Sequence, residues 1–558
     1  MARPPIRAPK FMRGATLAPF EHRIFAAVWT ASLVVNCGAM IQNVGAAWLM
    51  TTLAPSPDFV ALVQAAAMAP MMLLSLPAGA LADTFDRRKV MMAAQIAMLL
   101  ASAALAALAW LHMINAWSLL AFTFLIGCGI TIYSPSWQSS IIEQVSREKL
   151  PAAVALNSVS FNLARSAAPA LGGAIVAMGG SALAFSINAV SYISLIGVLA
   201  AWKRTPPEAR HRPETLGRAM RTGVHYVLGA PAIRTILIRS GMLGFCAAVS
   251  FALLPLVARD LLKGGPVVYG VLLAGFGGGA MLMGLASVRL RTRFGGQHVM
   301  DGSCLAFALA MFGVAISPWY PTTFLFVAGA GGAWVLVTSA LTTAVQTSSA
   351  GWVAGRVLSM QLMVMLGGMS VGSIVWGQVA HHIGLRPTFV AAAALLLATQ
   401  AVARWLLPRT VDDADLDPAD LLASLPDLDI DPKAGPIDIL VEYSVDPKLA
   451  PAFMAAAREL GAVRRRDGAS TWTLHQDLDD PEIWIEQFSH PTWLDHQRRH
   501  ARLTKADLAI RDRVLAFHSG APLRIRRWVQ RPSGAGPLNW RPLALADDAV
   551  PLVTLPPG

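Results

Sequence analysis

Twelve apolar runs, each about as long as a helix that crosses a bilayer, occupy most of the chain up to residue 407. They fall near 23–50, 59–81, 90–112, 117–141, 152–178, 182–202, 232–258, 267–289, 298–317, 322–345, 357–380 and 386–407. A hydrocarbon core about 30 Å thick needs about 20 helical residues. A lone segment survives there only as a helix, because each backbone N–H and C=O must be paired within it. Several runs are rich in small residues, such as "APALGGAIVAMGG" (168–180) and "LLAGFGGGAMLMG" (272–284), which let helices pack closely in lipid. A soluble chain would carry roughly a quarter charged residues, and here only 14% are charged. The predicted fold class is an all-α polytopic membrane protein with twelve transmembrane helices, followed by something different after residue 407.

The charge is unevenly placed. Residues 1–409 hold 28 Lys+Arg against 10 Asp+Glu, and residues 410–558 hold 17 against 23. The bases sit in short gaps between apolar runs, which fits membrane orientation and not nucleic-acid binding. With the N-terminus inside, the cytoplasmic side collects 23 of the 28, leaving Arg259, Lys263 and Arg386 outside and Arg165 and Arg239 at membrane depth. Residues 1–22 then read as a cytoplasmic tail, since no small-residue cleavage site follows a short apolar core. The linker 203–231 divides the spans into two six-helix halves, 23–202 and 232–407, an arrangement suited to a secondary transporter built from repeats. The four cysteines are isolated, so neither disulfides nor a metal site is expected, and no cofactor-binding motif occurs.

Between spans 2 and 3 the stretch "GALADTFDRRK" (79–89) packs two acids and three bases into seven positions. Positive-inside anchoring explains the bases but not Gly79 and Asp83. An acid there can pair with bases or with a helix N-terminus in one conformation only, a latch of about 1–3 kcal/mol. The stretch resembles the loop 2–3 signature of the major facilitator superfamily through Gly79, Asp83, Arg87 and Arg88, followed by Lys89, with Asp86 replacing the second glycine, as in enterobactin-exporter-like members. The second-half counterpart, "GLASVRLRTRFGG" (284–296), keeps the glycine and the bases but lacks the acid. In span 5, "NLARSAAPALGGA" (162–174) resembles the antiporter motif of drug exporters through Pro169, Gly172 and Gly173. A proline and glycines there would let the helix bend at a gate. The resemblance covers about residues 20–407 and implies a proton-antiporting exporter of the inner membrane.

Arg165 lies about 13 residues into span 5, roughly 20 Å deep. A charge at that depth is a functional candidate by default. Arg239, about seven residues into span 7, is expected to snorkel to the surface. Asn36, Gln42, Asn43, Gln64, Asn162, Asn188 and Gln361 are the other polar groups assigned to a substrate pathway for a bulky amphipathic small molecule. No Asp or Glu lies mid-span, and Asp301 falls in the first turn of span 9, so proton coupling is implied by the resemblance alone.

Residues 408–436 form an acidic linker. The segment 437–530 reads β-α-β-β-α-β, the order of a ferredoxin-like α+β domain, and 531–558 reads as a disordered tail. "IEQFSHPTWLDHQRRH" resembles the antibiotic-biosynthesis-monooxygenase type of dimeric α+β barrel, which implies a homodimer contact through this domain. His496 and His500 share a helical face, most simply a solvated one. Three functions compete: an exporter in contact with bilayer and small molecule, a membrane-anchored enzyme acting through the tail, and a ligand-sensing regulator. The absence of a catalytic constellation disfavours the enzyme.

Overall fold

The computed structural model describes residues 15–54, 56–202, 224, 226–351, 353–406, 428–431, 434–500, 503–520, 522–531 and 541–542. The tail up to residue 14, most of the linker 203–231, the acidic stretch 408–427 and most of 531–558 lie outside them. The chain divides into two compact units. One comprises residues 1–214, 235–344 and 358–409; the other comprises 215–234, 345–357 and 410–558.

Helices α1 (Arg23–Leu53), α2 (Pro57–Thr84), α3 (Arg87–Trp110), α4 (Ala116–Gln144) and α5 (Leu150–Ala201) come first. There follow α6 (Pro231–Ala252), α7 (Pro266–Phe294), α8 (Gly296–Ile316), α9 (Tyr320–Ser348), α10 (Ala354–Ile383) and α11 (Leu385–Leu406). Their starts are encoded locally. Asn115 caps α4 by accepting the Ser118 N–H at 2.9 Å, and Ser118 Oγ returns the bond to the Asn115 N–H. Proline stands in the first turn of α2 and α7, where its missing N–H costs nothing. Beyond α6 a short helical piece, Leu254–Leu256, runs into a π-helical turn, Val257–Leu261.

Among the described residues, eleven helices are long and apolar enough to cross a membrane, one fewer than the apolar runs. Runs five and six have become one 52-residue element, α5. Its single departure from helical dihedrals is Gly180, at φ 68° and ψ −179°, a region open essentially to glycine alone. No turn residues separate the two arms, which meet directly at this glycine.

The second unit holds a four-stranded antiparallel sheet of β1 (Ile437–Ser444), β2 (Thr471–Gln476), β3 (Ile483–His490) and β4 (Arg524–Val529), in the spatial order β2-β3-β1-β4. Helices α12 (Ala450–Arg466), α13 (Trp493–His500) and α14 (Lys505–Leu515) accompany it. Ile437, Ile439, Val441 and Tyr443 are buried on alternate positions of β1 and pack with Phe453, Leu460, Phe488 and Trp493. Register pairs Ile437 with His490 on one side and with Val529 on the other. His496 is not on a solvated face. It is 1% exposed, with its ring 5.3 Å from Trp493 and 5.4 Å from His490, because α13 turns its aromatic side onto β3. The side chain of His500 lies outside the described residues. Among those residues, no group of three or more His, Cys, Asp or Glu could hold a metal ion.

Candidate functional site

The antiporter-like motif of α5 forms a backbone seam between the two halves. Gly172 faces α1, where an added Cβ would lie 3.1 Å from Ile41 Cα. Gly173 faces α7, where a Cβ would lie 2.6 Å from the Pro266 carbonyl oxygen and 3.1 Å from Gly270 Cα. Pro169 keeps helical dihedrals, and Gly180 is the one residue of α5 that leaves them. Its effect is chemical. Proline at 169 has no N–H for the carbonyl of Arg165, four residues earlier. A Cβ added at Gly277 on α7 would lie 2.5 Å from that freed carbonyl oxygen.

Arg165 stands at this seam. Its guanidinium carbon lies 5.3 Å from the centroid of the Phe276 ring. Phe276 meets Phe251 edge-on at 4.9 Å, and Phe251 meets Trp334 at 5.4 Å. A first-half cation is therefore set over an aromatic cluster of the second half. Such a contact is worth about 0.5–2 kcal/mol, rising with desolvation. Sequence reasoning found Arg165 from its depth but missed the aromatic partners, whose only signal was Phe276 inside the glycine-rich run 275–279.

Other ties between the halves run from this seam to the end holding the α1–α2, α6–α7 and α10–α11 turns. Arg259 donates to the Thr51 carbonyl, and Trp48 stacks on Tyr269 at 6.5 Å. Ser370 Oγ donates to the Ala65 carbonyl at 3.2 Å, and His381 Nδ1 lies 3.8 Å from Asp58.

At the opposite end the charged loop is spent residue by residue. Asp86 caps α3 by accepting the Lys89 N–H at 3.2 Å. Arg87 crosses to α4, donating to Glu143 at 2.9 Å and to the Ser139 carbonyl at 3.2 Å. Arg88 donates to the carbonyls of Leu199 and Ala200, at 2.6 and 2.8 Å, where the C-terminal end of α5 favours a cation. Gly79 faces open space, and Asp83 lies in the last turn of α2, its side chain outside the described residues. The second half repeats the device without the acid: Arg291 reaches Ser339 Oγ at 3.0 Å and the Thr343 hydroxyl on α9. The spacing from Ser339 to Thr343 copies that from Ser139 to Glu143.

The remaining candidates separate. Gln42 and Asn188 bond each other inside the first half. Ser102 donates to Gln42 Oε1 at 2.6 Å, and Tyr192 lies 3.2 Å from the Asn188 amide, so α1, α3 and α5 share one sealed network. Gln361 is buried, 3.4 Å from Ser240 Oγ. Asn36 and Gln64 are half-buried, Asn43 is exposed, and Asn162 is exposed with its amide on the Ser158 carbonyl at 2.8 Å.

Arg239 departs from expectation. It does not snorkel: it is 6% exposed and donates to Asp301 Oδ1 at 2.8 Å and to Gln400 Oε1 at 2.6 Å. Arg404 holds Asp301 Oδ2 at 2.9 Å, and Gln297 adds a bond at 3.0 Å. A charge that finds a carboxylate on a neighbouring helix has no need to reach the surface.

Two helical halves, a glycine seam between them and a basic loop between α2 and α3 define a transporter of the major facilitator type. A family profile described as transmembrane secretion effector matches residues 14–533, and the chain belongs to that family. The match extends past the membrane helices and takes in the C-terminal domain. The chain is 24% identical over 387 residues to the multidrug efflux pump Tap of Mycobacterium tuberculosis, covering 67% of this chain and 91% of that protein. It is 22% identical over 368 residues to the staphyloferrin A transporter of Staphylococcus aureus, covering 65% and 90%. Among solved structures, an inward-facing bacterial homologue of the lysosomal transporter Spinster matches with TM-score 0.58 at 16% identity, over 68% of this chain and 95% of that one. The nucleoside transporter NupG matches with TM-score 0.57 at 13% identity, over 68% and 98%. At these identities the structures establish the fold.

Proposed function

We propose that the protein exports small amphipathic molecules, of the siderophore or drug class, across the inner membrane by proton antiport with alternating access. The observation that carries this reading is Arg165, a midplane cation set over Phe276 where the two halves cross. A mobile pathway between halves with a cation and aromatic faces suits a bulky, partly anionic solute, and the multidrug and siderophore transporters among the relatives support that class. Twelve crossings follow if α5 turns back at Gly180, each arm then being long enough to span. Both termini are then cytoplasmic, and the ties described above close the outer end, giving an inward-open state. A reporter fused after Gly558 is expected to be active only in the cytoplasm; external activity would remove the twelve-crossing topology.

The tail is read as a ferredoxin-like accessory domain resembling the monooxygenase-type α+β barrels; its element order and the β2-β3-β1-β4 sheet support this. A homodimer contact through it is part of the same reading, supported by Ile525 and Trp528, both about half exposed on the edge strand β4. The test of the whole is gradient-driven efflux of siderophores and dyes from vesicles at matched expression. Arg165→Lys is expected to retain partial efflux, because a cation stays over the ring. Arg165→Ala is expected to lose it. Parental efflux in Arg165→Ala would reduce the residue to a strut.

A further inference from the structure

Helix α12 ends in three consecutive arginines with three different partners. Arg464 donates to the buried Glu486 at 3.0 Å, and Arg465 lies over Trp472 at 5.4 Å. Arg466 donates to Asp467 Oδ1 at 3.0 Å and to Asp507 Oδ1 at 2.7 Å. Its guanidinium carbon also stands 5.6 Å from the ring of Tyr226, which belongs to the connection between the two six-helix halves. Tyr226 is buried in turn, and its hydroxyl accepts the N–H of Ala350, in the connection between α9 and α10, at 3.1 Å. At Gly229 a Cβ would sit 3.2 Å from the Arg466 Cβ, so the two backbones meet closely. One arginine thus joins the C-terminal domain to two connections of the membrane helices, all inside one compact unit.

Among the described residues, the charges there do not balance. Asp467 and Asp507 are each 1–2% exposed and share Arg466. Asp507 spends its other oxygen on the capping box of α14, accepting from the Thr504 N–H and hydroxyl. Asp467 Oδ2 is buried with no hydrogen-bond partner. Among the described residues, the charged and titratable groups facing Asp467 are Arg464 and Arg466 of α12, Asp507 of α14 and Tyr226 of the linker. Arg464 is committed to Glu486. One negative charge is therefore left over in a sealed place, and a proton on Asp467 removes it.

We propose that this cluster is a proton-sensitive clasp: Asp467 takes up a proton when the C-terminal domain closes on the Tyr226 and Ala350 segments, so that acidification of the surrounding solution tightens the docking. The clasped segments lead directly into α6 and α10, and closure restrains both. The restraint rests on the transport reading given above; the docking does not.

Burial pushes the Asp467 carboxyl up to about 6, against the pull of Arg466, with Asp507 adding to the rise. Opening the cluster to solvent would lift that burial, so the carboxyl is expected to hold its proton more tightly docked than open. Docking is therefore strongest at low pH and loses its proton-linked part as pH rises through about 6. Between pH 7.5 and pH 5 the docking equilibrium is expected to strengthen about tenfold.

The experiment places a donor and an acceptor dye on Val224→Cys and Arg458→Cys in the full chain in liposomes, with the four native cysteines replaced by alanine. Energy transfer is expected to rise as pH falls from 8 to 5, with its midpoint near 6. Asp467→Asn should hold high transfer at every pH, and Arg466→Ala low transfer at every pH. Transfer that is flat with pH in the parent, or a parental titration in Asp467→Asn, overturns the clasp. Efflux at pH 5.5 that is no faster in Arg466→Ala than in the parent overturns the restraint. A chain that titrates in this way yet pumps no substrate removes the exporter reading and leaves the clasp standing.

Discussion

Asp301→Ala is expected to destabilise the helical unit by about 3–5 kcal/mol, the usual cost of removing one partner from a buried ion pair. The reason lies in what is left behind. Arg239, 6% exposed on α6, would retain only the Gln400 oxygen, a neutral acceptor for a full charge. Arg239→Ala should cost less, because Asp301 keeps Arg404 and Gln297 and is itself partly exposed. Removing both charges together, as Arg239→Met with Asp301→Leu, should restore most of the loss, since an apolar pair of similar bulk often replaces a buried ion pair at little cost. Thermal unfolding in detergent reads all three. A double variant no more stable than Asp301→Ala would show that the pair is not the source of the loss.

Gly173→Leu is expected to suppress efflux by roughly 10- to 100-fold while leaving insertion and expression intact. A Cβ already meets the Pro266 oxygen at 2.6 Å, and the rest of a leucine has nowhere to go while α5 and α7 stay in contact. Overpacking of this kind costs about 1–3 kcal/mol. The cost falls on the state in which the seam is closed, and an equilibrium displaced by that much leaves few molecules able to complete the cycle. Gly197→Leu is the control, because a Cβ there meets nothing within 4 Å. Equal efflux from the two variants would mean that the seam does not close during transport.

Much of this architecture was written in the apolar runs, because a bilayer imposes a length on every crossing segment and few alternatives satisfy the backbone. Arg165 was legible for the same reason, since depth alone makes a charge conspicuous. Arg239 was misjudged because depth says nothing of neighbours. Its partner Asp301 lies 62 residues away on another helix, and only the packing of α6, α8 and α11 brings them together. Gln42 and Asn188, 146 residues apart, are related in the same way. His496 was misplaced because a four-residue helical spacing fixes which residues share a face but not which face turns inward. Tyr226 carried no signal at all, being one aromatic residue in a basic linker.

Gly180 gives the fifth helix a mechanical character. Its two arms, 150–179 and 181–201, are joined through one residue, with no loop between them to absorb displacement. The first arm carries the glycine seam, and the last carbonyls of the second hold Arg88 of the charged loop. The second arm is about 30 Å long at 1.5 Å per residue. A tilt of that arm by a few degrees about Gly180 displaces its far end by an ångström or more. The seam and the carbonyls that hold the charged loop therefore belong to the two arms of one element, with Gly180 as the only joint between them.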